Sequence, residues 1–150
     1  MEKLTGLKKI KTAVFISGRG SNLNNLIKFS KTKRSPITID LVISNKKAYG
    51  LKYADKYKIK KKIINFKRGK IAEKRSLIVL NKRNIKFICL AGFMKILSKN
   101  FIKKFKGKIV NIHPSYLPKY KGLNTSVRAL RNNEKFSGCT VHYVSSKLDS

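Results

Sequence analysis

An amide and an imidazole stand two residues apart at the end of an apolar run, where both could act on one small group. Asn111 and His113 follow Ile109 and Val110, and Pro114 comes directly after them. Residues two apart in a strand share a face. A fixed amide donor beside a group that can donate, accept or carry charge near neutral pH suits the tetrahedral oxyanion of acyl transfer. The pair therefore predicts acyl-transfer chemistry, and a polar strand end followed by a turn is the alternative.

A glycine-containing loop follows the first apolar run of the chain. Residues 17–22 read Ser-Gly-Arg-Gly-Ser-Asn and join a predicted strand to a predicted helix. Glycine permits close backbone approach, and a helix N-terminus offers free N–H groups to an anion. A dinucleotide fingerprint fits less well, because Leu23 stands where a third glycine is expected and no acid ends the next strand. The loop therefore predicts a phosphate site, with a simple tight turn as the alternative.

Short β-branched runs alternate with amphipathic stretches along the chain, which predicts an α/β fold with parallel strands. Strands are predicted at residues 12–16, 37–44, 61–66, 87–91, 108–112 and 139–144. Helices are predicted at residues 21–29, 48–57, 70–84, 98–105 and 125–132. The fourth helix has Ser98 as its N-cap and Gly107 as its stop.

Five segments stand in the same order as sequence blocks of a known family. They are residues 15–23, 90–94, 111–118, 138–144 and 148–149. They resemble the phosphoribosylglycinamide formyltransferases, the folate-dependent enzymes of purine synthesis. The resemblance implies a Rossmann-like formyltransferase fold in three layers with a mostly parallel central sheet, and one domain over residues 1–150. It implies transfer of a formyl group from 10-formyltetrahydrofolate to the amine of glycinamide ribonucleotide, without a metal.

The resemblance also implies roles for individual residues. The catalytic trio is Asn111, His113 and Asp149, with the Asp149 carboxylate keeping His113 cationic. The substrate-binding residues are Gly20, Ser21, Asn22, Met94 and Pro114. The residues that meet the folate are Leu90, Lys95, Ile96, Leu97 and Asn111.

The chain departs from the family pattern at several positions. Lys95 stands where the family more often has arginine, and Asn124 and Ser126 where it commonly has histidine. The sequence ends one residue after Asp149, whereas the family continues through a further strand and a C-terminal helix. We therefore expect these 150 residues to lack that strand and helix and to hold Asp149 poorly.

The composition is strongly basic, with 37 Lys and Arg against 6 Asp and Glu and a formal net charge of +31. Such a charge is typical of nucleic-acid binding, because cationic side chains that neutralise phosphates dominate it. Here, however, the lysines are spread over every segment instead of forming one stripe with interleaved aromatics. We expect solvated surface positions that draw in anionic ligands, and no nucleic-acid partner.

Three other functions remain open from the sequence. Methionyl-tRNA formyltransferase shares the formyl-transfer core, but its first loop differs from residues 17–22. Formyltetrahydrofolate deformylase is also similar, but it usually has a histidine where Pro114 stands. A basic nucleic-acid-binding module would explain the charge alone.

The remaining features point to the cytoplasm. The N-terminus has no apolar signal region and no apolar run reaches the length of a membrane span, so no membrane partner is expected. Cys89 and Cys139 lie in apolar runs without metal-ligand spacing, so we expect two small buried hydrophobes. His142 lies in a predicted strand and is either structural or part of the site.

Overall fold

The computed structural model describes residues 8–145 of the 150-residue chain. Its strands are β1 (Ile10–Ile16), β2 (Ile37–Ser44), β3 (Lys60–Ile63), β4 (Phe87–Leu90), β5 (Lys108–His113) and β6 (Thr140–Tyr143). Its helices are α1 (Ser21–Ser30), α2 (Leu51–Lys56), α3 (Gly69–Lys82), α4 (Lys99–Lys104) and α5 (Thr125–Arg131). Asp149 lies outside the described residues, so its predicted role stays a prediction.

All the described strands belong to one sheet, in the order β3-β2-β1-β4-β5-β6. The first five are parallel, and β6 pairs antiparallel with β5. Because the strand order reverses direction between β1 and β4, the connections that follow these two strands leave toward opposite faces. The predicted α/β fold with a mostly parallel central sheet is confirmed.

Apolar layers cover both faces of the sheet, as expected for parallel strands. Alternate residues of β1 divide between them: Phe15 faces α3 and α4, whereas Val14 faces α1 and α2. The side chains of Leu23 and Ile27 on α1 are fully buried, and so is that of Phe101 on α4. The three-layer arrangement is therefore confirmed.

The sheet edge at β6 is less well covered. Val141 and Tyr143 on β6 are 64% and 61% exposed, and Leu130 on α5 is 75% exposed. Within residues 8–145, no element packs over these side chains closely enough to bury them. This edge, which adjoins the strand that carries Asn111 and His113, therefore has open apolar surface.

Several predicted boundaries are wrong, each for a local reason. The second helix begins at Leu51 instead of residue 48, because the chain before it turns at Gly50. The third strand ends at Ile63, and Phe66 begins a single 3₁₀ turn. Gly107 does not stop α4, which ends at Lys104. Gly107 instead passes so close to β4 that a Cβ atom there would lie 2.2 Å from the Lys86 carbonyl oxygen.

The two cysteines differ in their surroundings. Cys89 on β4 is buried, as predicted, and burial raises the pKa of its thiol to about 11. Cys139 is exposed and lies just before β6, so the prediction that it is buried is wrong. The apolar run that suggested a buried strand belongs to the sheet edge, where alternate side chains face water.

Native thiol alkylation tests this difference. We expect iodoacetamide at pH 8 to modify Cys139 and to leave Cys89 unmodified, because the thiolate is the reactive form and Cys89 is both buried and protonated. Intact mass should show one adduct on the native chain and two after denaturation. Rapid modification of Cys89 in the native protein would contradict the packing described for β4.

Substitutions on α1 test the layer on its side of the sheet. Ile27→Ala should lower the free energy of unfolding by about 2–5 kcal/mol, because its fully buried side chain leaves a cavity. Phe29→Ala, two residues away and 48% exposed, is the matched control and should cost less than about 1 kcal/mol. Urea unfolding measures both, and equal losses would show that α1 does not pack as described.

Candidate active site

Ser17 joins the carboxyl ends of β1 and β4 at the point where the strand order reverses. Its backbone N–H donates to the carbonyl oxygen of Gly92 over 3.1 Å, and its hydroxyl accepts from the backbone N–H of Met94 over 2.8 Å. The residue is only 3% exposed. In open α/β sheets this reversal forms a crevice in which ligands bind. The predicted phosphate loop and the predicted folate segment therefore begin side by side.

The loop after β1 leads directly into α1. Gly20 occupies the N-cap position in the left-handed conformation, with a φ of 77°, and no side chain caps the helix. Ser21 and Asn22 are exposed in the first turn. The first N–H groups of a helix have no partner within it, and the helix dipole favours an anion there. The three residues predicted to hold a phosphate therefore share one exposed helix start.

A second glycine, which sequence reasoning missed, shapes this loop. The N–H of Gly50 donates to the carbonyl oxygen of Gly18 over 2.9 Å. A Cβ atom on Gly20 would lie 2.6 Å from the Cα of Gly50, and one on Gly50 would lie 2.8 Å from the Cα of Gly20. Only glycine allows this approach of two backbones. The loops after β1 and β2 thus support each other.

The segment after β4, residues 92–97, crosses the crevice as an irregular stretch. Phe93 packs edge-on against Phe15 and Phe66, with ring centroids 5.3 and 5.2 Å apart. Leu97 is buried in the core, whereas Met94 and Ile96 are 63% and 78% exposed. The segment is therefore held by the side chains of Phe93 and Leu97 and presents the three side chains between them outward.

The predicted folate residues consequently divide into two groups. Leu90 and Leu97 are 6% exposed and belong to the packed core. Lys95 and Ile96 are at the surface. Leu90 lies beside Asn111 in the register of β4 and β5, so this buried residue adjoins the strand end that carries the candidate site.

Asn111 contacts a histidine on the neighbouring strand. Its amide nitrogen Nδ2 lies 3.4 Å from Nε2 of His142, its partner in the register of β5 and β6. The other ring nitrogen of His142, Nδ1, lies 3.1 Å from the carbonyl oxygen of Tyr143. A carbonyl only accepts, so the contact with Tyr143 favours a proton on Nδ1, and with that tautomer Nε2 accepts from Asn111. His142 therefore lies beside the Asn111 amide across the strand pair.

His113 lies at the end of β5 and is 5% exposed. Its Nε2–H donates to the carbonyl oxygen of Tyr120 over 2.9 Å. Residue 120 has a φ of 54°, a left-handed conformation that turns the loop back over the strand end. Asn111 and His113 thus lie on one face, as predicted, and each has a partner that fixes its ring or amide.

The loop that supplies this carbonyl is tied to the segment after α5. The Tyr120 hydroxyl donates to Oε1 of Glu134 over 2.9 Å, and Nζ of Lys119 lies 3.0 Å from the same oxygen. The hydrogen bond from Lys119, followed by that from Tyr120, lowers the pKa of the Glu134 carboxyl, which remains ionised at neutral pH. Ser115 adds a hydroxyl bond of 2.7 Å to the carbonyl of Lys119.

A cavity of about 390 Å³ lies between this loop and α5. Pro114, which is exposed and was predicted to bind substrate, lines it together with Ser126. Asn124 precedes α5 in the left-handed conformation, with a φ of 56°, which asparagine tolerates better than most residues. The departure from the family pattern at residue 124 therefore fits the local backbone.

Two kinds of feature are absent from residues 8–145. No cluster of three or more His, Cys, Asp or Glu side chains could hold a metal ion. None of the described helices combines the length and the apolar character that a bilayer crossing requires.

The sequence is similar to characterised proteins of purine synthesis. A sequence model of the family described as formyl transferase matches residues 10–150. The trifunctional purine biosynthetic protein adenosine-3 of Homo sapiens is 44% identical over 147 aligned residues, which cover 95% of this chain and 15% of that protein. Phosphoribosylglycinamide formyltransferase of Haemophilus influenzae is 42% identical over 147 aligned residues, which cover 95% of this chain and 68% of that enzyme.

Solved structures agree with the sequence matches. Phosphoribosylglycinamide formyltransferase from Anaplasma phagocytophilum superposes with a TM-score of 0.88 at 42% identity, covering 95% of this chain and 68% of that one. The enzyme from Coxiella burnetii gives 0.86 at 41% identity, covering 95% and 69%. The resemblance read from the five sequence segments is confirmed. The chain belongs to the formyl transferase family, as a relative of the phosphoribosylglycinamide formyltransferases.

Proposed function

We propose that this protein transfers a formyl group from 10-formyltetrahydrofolate to the amine of glycinamide ribonucleotide in purine biosynthesis. The observation that carries the proposal is the pair Asn111 and His113 on one face at the end of β5, each held by its own partner. Membership of the formyl transferase family supports the chemistry, and the printed names of the relatives support the substrates.

The ribonucleotide phosphate binds at the start of α1. Gly20, Ser21 and Asn22 supply backbone N–H groups, and the helix dipole adds a favourable field. Met94, exposed beside Ser17, lies where it can contact the same ligand. This arrangement directs the glycinamide amine from the phosphate loop toward the end of β5.

The folate lies along residues 92–97. Ile96 leaves an apolar side chain in water next to the strand ends, which suits the flat face of a pterin ring. Backbone groups near Lys95 and Leu97 meet the polar edge of that ring. Lys95 offers a compact ammonium in place of the planar guanidinium that the family more often has, so a bidentate contact is lost.

The reaction forms one bond and breaks another on the formyl carbon. The amine attacks this carbon, and the carbonyl oxygen becomes an oxyanion that Nδ2 of Asn111 and the His113 ring stabilise. The carbon–nitrogen bond to the folate then breaks, the leaving nitrogen takes a proton, and the ribonucleotide nitrogen loses one. Asp149, in the role taken from the resemblance, relays a proton through water. No step requires a metal ion.

The rival activities differ in the acceptor of the formyl group. A methionyl-tRNA formyltransferase would use the amine of methionyl-tRNA, and a deformylase would use water. Assays with the three acceptors separate them, and a salt titration of binding tests for a nucleic-acid module, whose affinity falls steeply with salt. We expect a single formyltransferase domain in the cytoplasm, with neither a nucleic acid nor a membrane as partner.

Replacing His113 should lower turnover without lowering the affinity for the ribonucleotide. We expect His113→Ala to lower turnover by about 100-fold or more while ribonucleotide affinity stays within about twofold, because the ring acts on the transition state. Lys108→Ala, at the opposite end of the same strand, is the control and should keep normal turnover. A His113→Ala protein with near-normal turnover would remove this residue from the mechanism.

Two glycine substitutions test the phosphate loop. Gly20→Ala places a methyl group against Gly50 at a positive φ, so we expect the ribonucleotide Kd to rise about tenfold while folate affinity is kept. Gly18→Ala is the matched control, because its Cβ atom would meet nothing within 4 Å. Calorimetric titration with each ligand measures both. Equal effects of the two substitutions on ribonucleotide binding would contradict the assigned role of the Gly20 backbone.

A further inference from the structure

Glu73 on α3 is the one carboxylate side chain that is buried within residues 8–145, at 7% exposure. Its two oxygens both bind Ser98. Oε1 accepts from the backbone N–H of Ser98 over 2.7 Å, and Oε2 accepts from the Ser98 hydroxyl over 2.6 Å. Burying a carboxylate is costly unless its oxygens are hydrogen-bonded. The buried position of the Glu73 carboxylate therefore depends on its hydrogen bonds to Ser98.

The contact completes a helix cap from outside the helix. The Ser98 oxygen accepts from the N–H of Phe101, as an N-cap should, over 3.1 Å. In a capping box the acid at the third helical position reaches back to the N-cap N–H. That position of α4 is Phe101, whose side chain is fully buried, so it cannot supply an acid. Glu73, on the neighbouring helix α3, instead supplies the carboxylate that accepts from the N-cap N–H.

The same contact fixes one end of residues 92–97. At the other end, Ser17 holds Gly92 and Met94, and Phe93 packs between two rings. Ser98 is the residue at which the irregular segment becomes α4. Between these two anchors the exposed side chains of Met94, Lys95 and Ile96 face outward. Residues 92–97 are thus preformed and fixed at both ends, and we call this segment the folate shelf.

We infer that Glu73 is a positioning residue for the folate: it holds the carboxyl-terminal end of this shelf through Ser98. The inference rests on the proposed function, because that function assigns the folate to residues 92–97. A binding segment that is already ordered loses less conformational entropy when the ligand arrives. Without the carboxylate, the two Ser98 donors lose their acceptors, the shelf samples other conformations, and folate binding must restore the order.

Ligand titrations on the full chain test this role. We expect Glu73→Ala to raise the Kd of a 10-formyltetrahydrofolate analogue about tenfold or more, as loss of a hydrogen bond to a charged group implies. The ribonucleotide Kd should change less than about twofold. Glu73→Gln, whose amide oxygen still accepts from the Ser98 N–H, should restore part of the folate affinity. Hydrogen exchange of the residue 94–98 amides should quicken in Glu73→Ala.

A stability-matched control separates positioning from general loosening. Ser35 is 2% exposed, bonds the backbone of Ile37 at the opposite end of the sheet, and can be replaced by alanine. Ser35→Ala should lower the melting temperature without changing folate affinity. Equal folate affinity in wild type and Glu73→Ala, or equal loss of both ligands in Glu73→Ala, would overturn the inference while leaving the proposed function intact. A wild-type protein that binds no folate analogue would overturn both.

Discussion

The hydrogen bonds of Ser17 hold together the two strand ends on which the proposed ligand contacts depend. The loop after β1 turns toward one face of the sheet and the segment after β4 toward the other, which opens the crevice. Ser17 spans that opening with its N–H and its hydroxyl, and it is almost completely buried. The distance between the phosphate loop and the folate shelf is therefore fixed. A fixed distance is what bringing an amine to a formyl carbon requires.

Local sequence patterns predicted much of the site, because they depend on residues close together in the chain. The two-residue spacing of Asn111 and His113 fixes their common face once β5 is a strand. The Gly20 loop predicts a helix start with free N–H groups, and the structure has it at Ser21. The apolar alternation predicted the order of strands and helices, although it missed the turn that shortens α2.

The residues that sequence reasoning missed act through contacts between distant segments. Gly50 belongs to no motif, and its need to be glycine appears only where it meets Gly20. Glu73 looks like a solvated acid on a lysine-rich helix until α3 and α4 are docked. His142 was named from the sequence with its role left open, because its place beside Asn111 follows from the antiparallel register of β6, which no local pattern specifies. Cys139 was misjudged because an apolar run at a sheet edge is half exposed.

Acidic residues are few in this chain, so the partner of each described acid is informative. Every acid within residues 8–145 has a specific partner: Asp40 with Arg83, Asp55 with Lys61, Glu73 with Ser98, and Glu134 with Lys119 and Tyr120. Two of these acids support the proposed site, one through the folate shelf and one through the loop that meets His113. The surplus of lysines surrounds this framework with a positive field that attracts anionic ligands. Both proposed substrates carry negative charge.

Transfer of a formyl group from folate to an amine at this site can be followed on the formyl carbon itself. 10-Formyltetrahydrofolate labelled with ¹³C in the formyl group is mixed with equimolar glycinamide ribonucleotide and the full chain, and ¹³C NMR records where the label goes. We expect the label to appear in the formamide of the ribonucleotide at the rate at which the folate is consumed. Label released as formate, or folate left unconsumed while the ribonucleotide is bound, would contradict it.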